Sequence, residues 1–386
     1  MIPVNEPLFC GNEKRYLNEC IDRGWISSEG PFVKRFEDGF SAYLGLKYGV
    51  AVCNGTAALE TALAAAGVQE GDEVVMPTFT IISCAIGAIR VGAKPVLVDS
   101  EPETWNMDVT QIESRITDKT KAIMPVHIYG HPVDMDPVME LAAKYRLKVI
   151  EDAAEVHGAE YKGRKAGSIG HAGCFSFYAN KIITSGEGGM VVTDDESIAE
   201  RARSYRNLCF RPEKRFYHTE LGYNFRMTNL QAAVGLAQLE QIDRLMALRR
   251  DHARKYTERL KPIPGIKTPV EKEWARNVYW MYAIELSEDL GIDAERMARQ
   301  LAEKGIATRP FFLGLHEQPA LHRMGLFAGE RYPVAERLAR QGLYLPSGHT
   351  LTDEQISYVC DVIEAVIRGK SIIPVVTDTT KGENAW

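Results

Sequence analysis

Short apolar runs alternate with helical patterns along the first half of the chain. Strand-like runs cover residues 48–52, 73–76, 94–98, 122–126, 148–150, 174–178 and 190–193, and helical patterns cover 56–66, 81–91 and 137–145. This alternation predicts an α/β fold with a mostly parallel central sheet covered by helices. In such sheets ligands bind beyond the carboxyl ends of the strands. Four residues follow strand runs directly and fall at this edge: Asn54, Pro77, His127 and Asp152.

The C-terminal third has a different pattern. Residues 229–260 form a long helical stretch, which we expect to be interrupted, and Pro262 and Pro264 end it. Beyond the prolines lie a strand pattern over 280–286, a helical pattern over 294–304, a strand around Ala307 and a final helix over 353–368. We predict a large domain over residues 1–250, a smaller C-terminal α+β domain over residues 251–370 and a loose tail over residues 371–386.

Composition narrows the class of protein. The chain has 386 residues and a net charge of −6 without a long basic run, which argues against nucleic-acid binding. Seven cysteines without a Cys-x-x-Cys pair favour reduced thiols over disulfides or a zinc site. No stretch approaches the roughly 18 consecutive apolar residues of a membrane span, and the first residues lack a signal-peptide pattern. We therefore expect a cytoplasmic protein with no metal, membrane or nucleic-acid partner.

Two polar residues at strand ends carry candidate chemistry. Lys181 lies where a predicted strand opens into a glycine-rich loop, and Asp152 ends another strand and is followed by two alanines. This pair is what pyridoxal phosphate chemistry needs, because the amine binds the cofactor's aldehyde and the carboxylate keeps its ring nitrogen protonated. Each residue alone has a simpler interpretation, since lysines are mostly exposed and aspartates often cap helices.

A third motif, Asn54-Gly-Thr-Ala-Ala58, lies between a predicted strand and a predicted helix. Free backbone amides at a helix N-terminus bind anions, and the Thr56 hydroxyl adds a donor for a phosphate. Simple capping of the helix by Asn54 or Thr56 is the alternative. The motif is not a P-loop and no G-x-G-x-x-G follows the first strand, so nucleotide hydrolysis and dinucleotide binding have no fingerprint. A phosphate loop, then an acid, then a lysine is the order found in fold-type I pyridoxal phosphate transferases.

From about residue 3 to about residue 368 the chain resembles the nucleotide-sugar aminotransferases of the DegT/DnrJ/EryC1/StrS family. The matching stretches, in family order, cover residues 25–31, 54–58, 71–78, 126–130, 151–154, 176–181, 186–189, 222–227, 308–310 and 345–347. Within the family, residues 25–28, 121–136 and 222–233 are most similar to members that aminate C4 of GDP-4-keto-6-deoxy-D-mannose. The resemblance implies amino transfer from L-glutamate to that sugar, giving GDP-perosamine for surface polysaccharide or O-antigen biosynthesis.

The resemblance also implies how the cofactor, pyridoxal 5'-phosphate, is bound. Lys181 would bind it covalently and later act as the general base. Asp152 would pair with the ring nitrogen. Thr56, Ala57 and Ser176 would hold the phosphate through backbone amides and hydroxyls.

Further residues are assigned by the same resemblance. Glu155 would lie near the ring hydroxyl of the cofactor, and Asn224 would reach the phosphate bound in a neighbouring subunit, which implies a homodimer with shared active sites. Relatives commonly carry an aromatic residue at the position of Ile81, so this chain keeps dispersion contact with the ring but loses stacking. The residues expected on the substrate side are Trp25, Ser27, His127, Tyr129, Arg309 and His316.

Three alternatives remain at this stage. A sugar 3-dehydratase of the same fold carries histidine where this chain has Lys181, so the lysine favours amination. Other relatives aminate C4 or C3 of UDP- or TDP-linked keto sugars. A non-catalytic protein that binds the cofactor or a sugar as a regulatory ligand is the third alternative, although the chain has no DNA-binding module to regulate.

Overall fold

The computed structural model describes residues 1–211 and 213–369, and the tail predicted over 371–386 lies outside them. The strands are β1 Tyr48–Val52, β2 Glu73–Pro77, β3 Lys94–Val98, β4 Thr120–Ile123, β5 Lys148–Asp152, β6 Glu160–Tyr161, β7 Arg164–Lys165, β8 Ala172–Ser176, β9 Gly189–Thr193, β10 Ile266–Lys267, β11 Ala275–Arg276, β12 Ala283–Leu286, β13 Arg309–Pro310 and β14 Gly342–Tyr344. The α-helices are α1 Glu13–Asp22, α2 Pro31–Leu44, α3 Gly55–Ala65, α4 Ser83–Arg90, α5 Met135–Tyr145, α6 Glu196–Arg206, α7 Asn229–Leu239, α8 Ile242–Leu260, α9 Ala294–Glu303, α10 Pro319–Arg323, α11 Pro333–Gln341 and α12 Asp353–Arg368.

A seven-stranded sheet in the order β1-β9-β8-β5-β4-β2-β3 forms the centre of the molecule. The four pairings from β8 to β3 are parallel, whereas β9 runs antiparallel to both β8 and β1. The prediction of a mostly parallel sheet is therefore confirmed. Because β9 is reversed between them, β1 and β8 run in the same direction, and the carboxyl ends of β1, β5 and β8 meet at one edge.

Helices bury the faces of this sheet. The alanine-rich α3 contacts β8, β9, α4 and α6, and its side chains from Ala57 to Ala65 are all buried. Small side chains let the helix approach the strands closely, and this close packing fixes its N-terminus beside the end of β8. Strands β8 and β9 are buried along their whole length, which explains their nearly continuous apolar sequence.

The C-terminal part forms a second, antiparallel sheet in the order β10-β12-β14-β13. Helix α12 packs on α8 and α9 beside it, and an apolar cluster that includes Tyr256, Ile284, Leu301 and Val359 fills the space between them. The main apolar cluster of the chain continues into this part through residues such as Phe311. The smaller α+β unit is thus present, while the predicted division between residues 250 and 251 falls inside α8 and stays a prediction.

Several predicted element boundaries are shifted in the structure. The helical stretch over 229–260 is interrupted as expected, between α7 and α8. Strand β4 ends at Ile123 and does not extend to Val126, because Pro125 has no N–H to donate to a sheet. The strand expected around Ala307 consists of a single bridge between Ile306 and Ile2, followed by β13. Within the described residues, no helix combines the length and apolar character needed to cross a bilayer.

Candidate active site

A cavity of about 570 Å³ opens at the edge of the sheet where β1, β5 and β8 end. This size suits a small cofactor together with part of a substrate. Seven residues that were predicted from the sequence line this cavity: Thr56, Ala57, Ile81, Asp152, Glu155, Ser176 and Lys181. They come from three separate stretches around residues 56, 81 and 152–181, so the fold collects them as the α/β pattern predicts.

An anion cradle forms one end of the cavity at the N-terminus of α3. Asn54 caps the helix, because its Oδ1 accepts a hydrogen bond from the Ala57 N–H at 2.8 Å. The capping interpretation is therefore correct for Asn54. Thr56 Oγ1 donates to Ser83 Oγ at 2.8 Å, and both hydroxyls line the cavity. The helix N-terminus and these hydroxyls together suit a phosphate group.

Gly55 keeps this cradle open. A Cβ atom at Gly55 would lie 2.8 Å from the Cβ of Ser176, which is closer than side-chain carbons normally approach. The absence of a side chain therefore lets the end of β8 lie directly against the start of α3. As a result the Ser176 hydroxyl joins the cradle, although it lies on a strand far from α3 in sequence.

Asp152 is the carboxylate at the end of β5, and it is 4% exposed. Its Oδ1 accepts from the Ala154 N–H at 3.1 Å, and its Oδ2 accepts from the Cys84 thiol at 3.0 Å. Burial raises the pKa of the Cys84 thiol well above its ordinary value, so the thiol stays protonated and can act as the donor. These two contacts fix the carboxylate plane beside the cavity.

Lys181 lies in the turn after β8, where its backbone N–H donates to the Tyr178 carbonyl at 2.9 Å. Its side chain is 10% exposed, and Nζ lies 3.7 Å from Glu155 Oε1. Nζ also lies 3.6 Å from the centre of the Trp280 ring. Burial lowers the pKa of Lys181, while Glu155 and Asp152 oppose this shift. A lowered pKa makes the neutral amine, which is the nucleophile and base, more accessible near neutral pH.

Glu155 is oriented by the backbone of the loop after β4. Its Oε2 accepts from the Tyr129 N–H at 2.8 Å, and Tyr129 has a left-handed backbone conformation with φ of 52°. Burial raises the pKa of Glu155 to about 7 even though Lys181 lowers it. Glu155 therefore changes its protonation near neutral pH, beside the lysine amine.

The residues of the cavity fit pyridoxal phosphate. The cradle at Gly55 and Ser176 suits its phosphate, the fixed carboxylate of Asp152 suits a protonated ring nitrogen, and the amine of Lys181 suits its aldehyde. Ile81 is 46% exposed at the cavity wall and offers an aliphatic surface where an aromatic ring would stack. All these groups lie on one cavity, as binding of a single cofactor requires.

Three predicted substrate residues lie behind the cavity wall. His127 is fully buried, with Nδ1 accepting from the Val133 N–H at 2.9 Å and Nε2 facing Glu151 Oε2 at 3.0 Å. His316 is also buried, and Thr78 and Glu336 flank its ring nitrogens. Tyr129 is 4% exposed among other aromatic rings. None of these three lines the cavity within the described structure, so their substrate contacts stay predictions.

The other predicted residues are exposed at the surface. Trp25 is 47% exposed, Arg309 is exposed at the edge strand β13, and Asn224 is exposed beside Asn207. Ser27 lies in a surface groove that also contains Arg226. Within one described chain none of these four reaches the cavity, and their expected roles stay predictions.

The cavity also contains residues that sequence reasoning missed. They include Arg90, Val126, Phe225, Trp280, Phe312 and Tyr344, together with Ser83 of the cradle. Trp280 belongs to an apolar run that is typical of a core strand, so nothing local marked it as a cavity residue. Cys84 does not line the cavity, but its contact with Asp152 depends on the packing of α4 against the sheet, which no local pattern encodes.

A fold-type I sheet with a lysine, a buried carboxylate and an anion cradle at one edge defines a pyridoxal phosphate-dependent enzyme. The chain belongs to the DegT/DnrJ/EryC1/StrS aminotransferase family, whose sequence profile matches residues 10–364.

Relatives and solved structures agree with this assignment. The chain is 42% identical over 363 residues to GDP-perosamine synthase of Escherichia coli O157:H7, covering 94% of this chain and 97% of the relative. It is 42% identical over 367 residues to GDP-perosamine synthase of Caulobacter vibrioides, covering 95% and 98%. The structure of Spr1654 from Streptococcus pneumoniae in its PLP form matches with a TM-score of 0.89 and 28% identity, covering 95% of this chain and 99% of that one.

Proposed function

We propose that this enzyme transfers the amino group of L-glutamate to the 4-keto carbon of GDP-4-keto-6-deoxy-D-mannose, giving GDP-perosamine. The observation that carries the proposal is the similarity, at 42% identity over nearly the whole chain, to two relatives named GDP-perosamine synthase. The cavity supports the same chemistry, because a lysine occupies the position where related 3-dehydratases carry histidine. Lys181 therefore favours amination over dehydration.

Bound pyridoxal phosphate supplies an electron sink beside the reacting carbon. Lys181 would hold the cofactor through Nζ and, once displaced by the incoming amine, would take the α-proton of glutamate. In the second half of the cycle Lys181 would deliver a proton to C4 of the sugar. Burial suits both steps, because it lowers the pKa of Lys181 and so reduces the cost of the neutral amine.

Neighbouring side chains would keep the cofactor and the proton in place. Asp152, fixed by Cys84 and the Ala154 N–H, would pair with the ring nitrogen and keep it protonated. Glu155 lies 3.7 Å from the lysine amine and, with a pKa of about 7, can hold a proton near the ring hydroxyl. The apolar wall that includes Phe312 would exclude water from the reacting atoms.

The active site is proposed to be shared between the two subunits of a homodimer. Asn224 is exposed, and large apolar side chains are exposed in the adjoining loop: Phe216 is 82% and Leu221 is 90% exposed. Contiguous patches of exposed apolar side chains are typical of surfaces that bind a partner, and we infer that this loop contributes to such a surface. A second subunit that covers this loop would bring Asn224 to the partner's cofactor phosphate.

The proposed location is the cytoplasm, where the enzyme would supply amino sugar for surface polysaccharide or O-antigen. All seven cysteines are free, as expected in a reducing compartment.

The substrate is tested with a panel of nucleotide 4-keto-6-deoxy sugars linked to GDP, UDP or TDP, each incubated with L-glutamate and read by mass spectrometry. We expect the mass change of keto-to-amine conversion on the GDP-linked sugar. The rate of amination of this sugar should be roughly tenfold or more above the rate with the UDP- and TDP-linked sugars. Faster amination of a UDP or TDP sugar would correct the nucleotide. Loss of a hydroxyl without amination would identify a dehydratase, and no change on any sugar would refute the proposed activity.

A further inference from the structure

The face of Trp280 lies against the catalytic amine. Lys181 Nζ lies 3.6 Å from the centre of the Trp280 ring, and the ring is 3% exposed. A cation at this distance from an indole face is attracted by the negative potential of the ring, and tryptophan is the strongest aromatic partner for such a contact. Because both side chains are largely buried, water screens this attraction only weakly.

Hydrogen bonds fix the orientation of the Trp280 ring. Its indole N–H donates to the carbonyl of Asn180, the residue before Lys181, at 2.8 Å. The Trp280 carbonyl accepts from Arg249 at 3.1 Å, and the guanidinium of Arg249 also contacts His349 and Asn5. The indole is therefore tied to the lysine's own loop through its N–H, and the Trp280 backbone is tied to α8, so turning the ring away from the amine would break the bond to Asn180.

Three titratable groups from β5 and the segment after it interact with the amine: Asp152, Glu155 and His157. Other charged or titratable groups line the same cavity, namely Arg90 of α4, Tyr178 and Glu187 of the loop around Lys181, and Tyr344 of β14. Burial disfavours the charge of the ammonium, whereas Glu155 and Asp152 attract it. The Trp280 face stabilises the ammonium without contributing a second titrating group.

We propose that Trp280 is a positioning residue whose ring holds the ammonium of Lys181 whenever this amine is not bound to the cofactor. The inference rests on the proposed function in taking Lys181 as the catalytic amine. Its consequence is that the proton carried by Nζ stays between the ring and Glu155, at a fixed place beside the cofactor. Without this contact, the Lys181 side chain would have to return to its reactive position before each proton transfer.

The test measures the reactivity of the Lys181 amine in the full-length chain after removal of the cofactor. Carbamylation by cyanate, which requires the neutral amine, is followed at Lys181 by peptide mass spectrometry across pH. Trp280→Phe and Trp280→Leu both lose the hydrogen bond to Asn180, but only Trp280→Leu loses the aromatic face. We expect the apparent pKa of Lys181 to be lower in Trp280→Leu than in Trp280→Phe by about 0.5 to 1.

Trp105→Phe is the matched control, because Trp105 is equally buried but does not line the cavity. This substitution should leave the pH dependence of Lys181 carbamylation unchanged. Identical profiles for Trp280→Phe and Trp280→Leu would overturn the proposal, since the indole would then act only through packing or its hydrogen bond.

Fluorinated tryptophans provide a measurement that does not depend on a folded variant. Fluorination weakens the negative potential of the ring and nearly preserves its shape, so the apparent pKa of Lys181 should fall stepwise with each added fluorine. In the Trp280→Phe background the same incorporation should have no effect. An unchanged pKa in the wild-type background would overturn the inference. Neither result depends on which sugar is aminated, so failure here is distinguishable from failure of the proposed function.

Discussion

Replacement of Glu155 by glutamine removes a buried titrating group while preserving most of its shape. In the structure Glu155 is 6% exposed, accepts from the Tyr129 N–H and lies 3.7 Å from the Lys181 amine. Glutamine keeps an acceptor oxygen for the Tyr129 N–H but cannot ionise. The substitution therefore isolates the contribution that protonation of Glu155 makes to the free energy of unfolding.

The magnitude follows from the pKa of Glu155, which burial raises from 4.5 to about 7. Between these two values the folded chain retains a proton that the unfolded chain has released. The stability contributed by this proton is fully present below pH 4.5 and is lost as the pH rises through 7. At about 1.4 kcal/mol for each pH unit, the full loss is roughly 3 kcal/mol.

The assay is urea unfolding of the cofactor-free chain at a series of pH values between about 4 and 8. Across this range the free energy of unfolding of wild type should fall by roughly 3 kcal/mol relative to that of Glu155→Gln. Glu160→Gln is the control with the opposite sign, because side-chain hydrogen bonding to Lys165 lowers the pKa of Glu160 against the effect of burial. A difference between wild type and Glu155→Gln that stays constant with pH, or grows in favour of wild type as pH rises, would refute the reasoning.

Three further predictions concern the cofactor. Ile81→Phe should bind pyridoxal phosphate roughly three- to tenfold more tightly by adding ring stacking, measured by fluorescence titration, and equal affinity would show that the ring lies elsewhere. Gly55→Ala should weaken the same binding, because its Cβ would lie 2.8 Å from that of Ser176; unchanged affinity would place the phosphate outside this cradle. When Lys181→Ala subunits are mixed with Asn224→Ala subunits, each inactive alone, the mixture should regain about a quarter of wild-type activity if active sites are shared between subunits. No activity should return if each subunit is self-sufficient.

Much of the fold could be predicted where local signals coincide with tertiary contacts. The pattern places β1 and β3 at their observed bounds, because buried strands require continuous apolar residues. The start of α12 is likewise readable, since Thr352 and Gln355 form a capping box. The reversal of β9 could not be predicted, because an apolar run has the same pattern in either direction.

The candidate site also contains residues that could be predicted from the sequence and residues that could not. Lys181, Asp152 and the cradle follow strand ends, so the α/β rule collects them without knowledge of the packing. His127 follows a strand run of the central sheet and His316 follows β13 of the second sheet, yet their ring nitrogens face buried partners such as Glu151 and Thr78. Trp280 reaches the cavity from the C-terminal part through long-range packing, which no local pattern reports.

The central claim is that Lys181 moves the proton during amino transfer to the nucleotide-linked keto sugar. Its most direct test is incubation of wild type and Lys181→Ala with nitrogen-15 glutamate and GDP-4-keto-6-deoxy-D-mannose. Mass spectrometry should find the heavy nitrogen in the sugar nucleotide with wild type. Lys181→Ala should lose this conversion by at least about a thousandfold, because it lacks both the nucleophile and the base. Conversion by Lys181→Ala at a rate comparable to wild type would contradict the account.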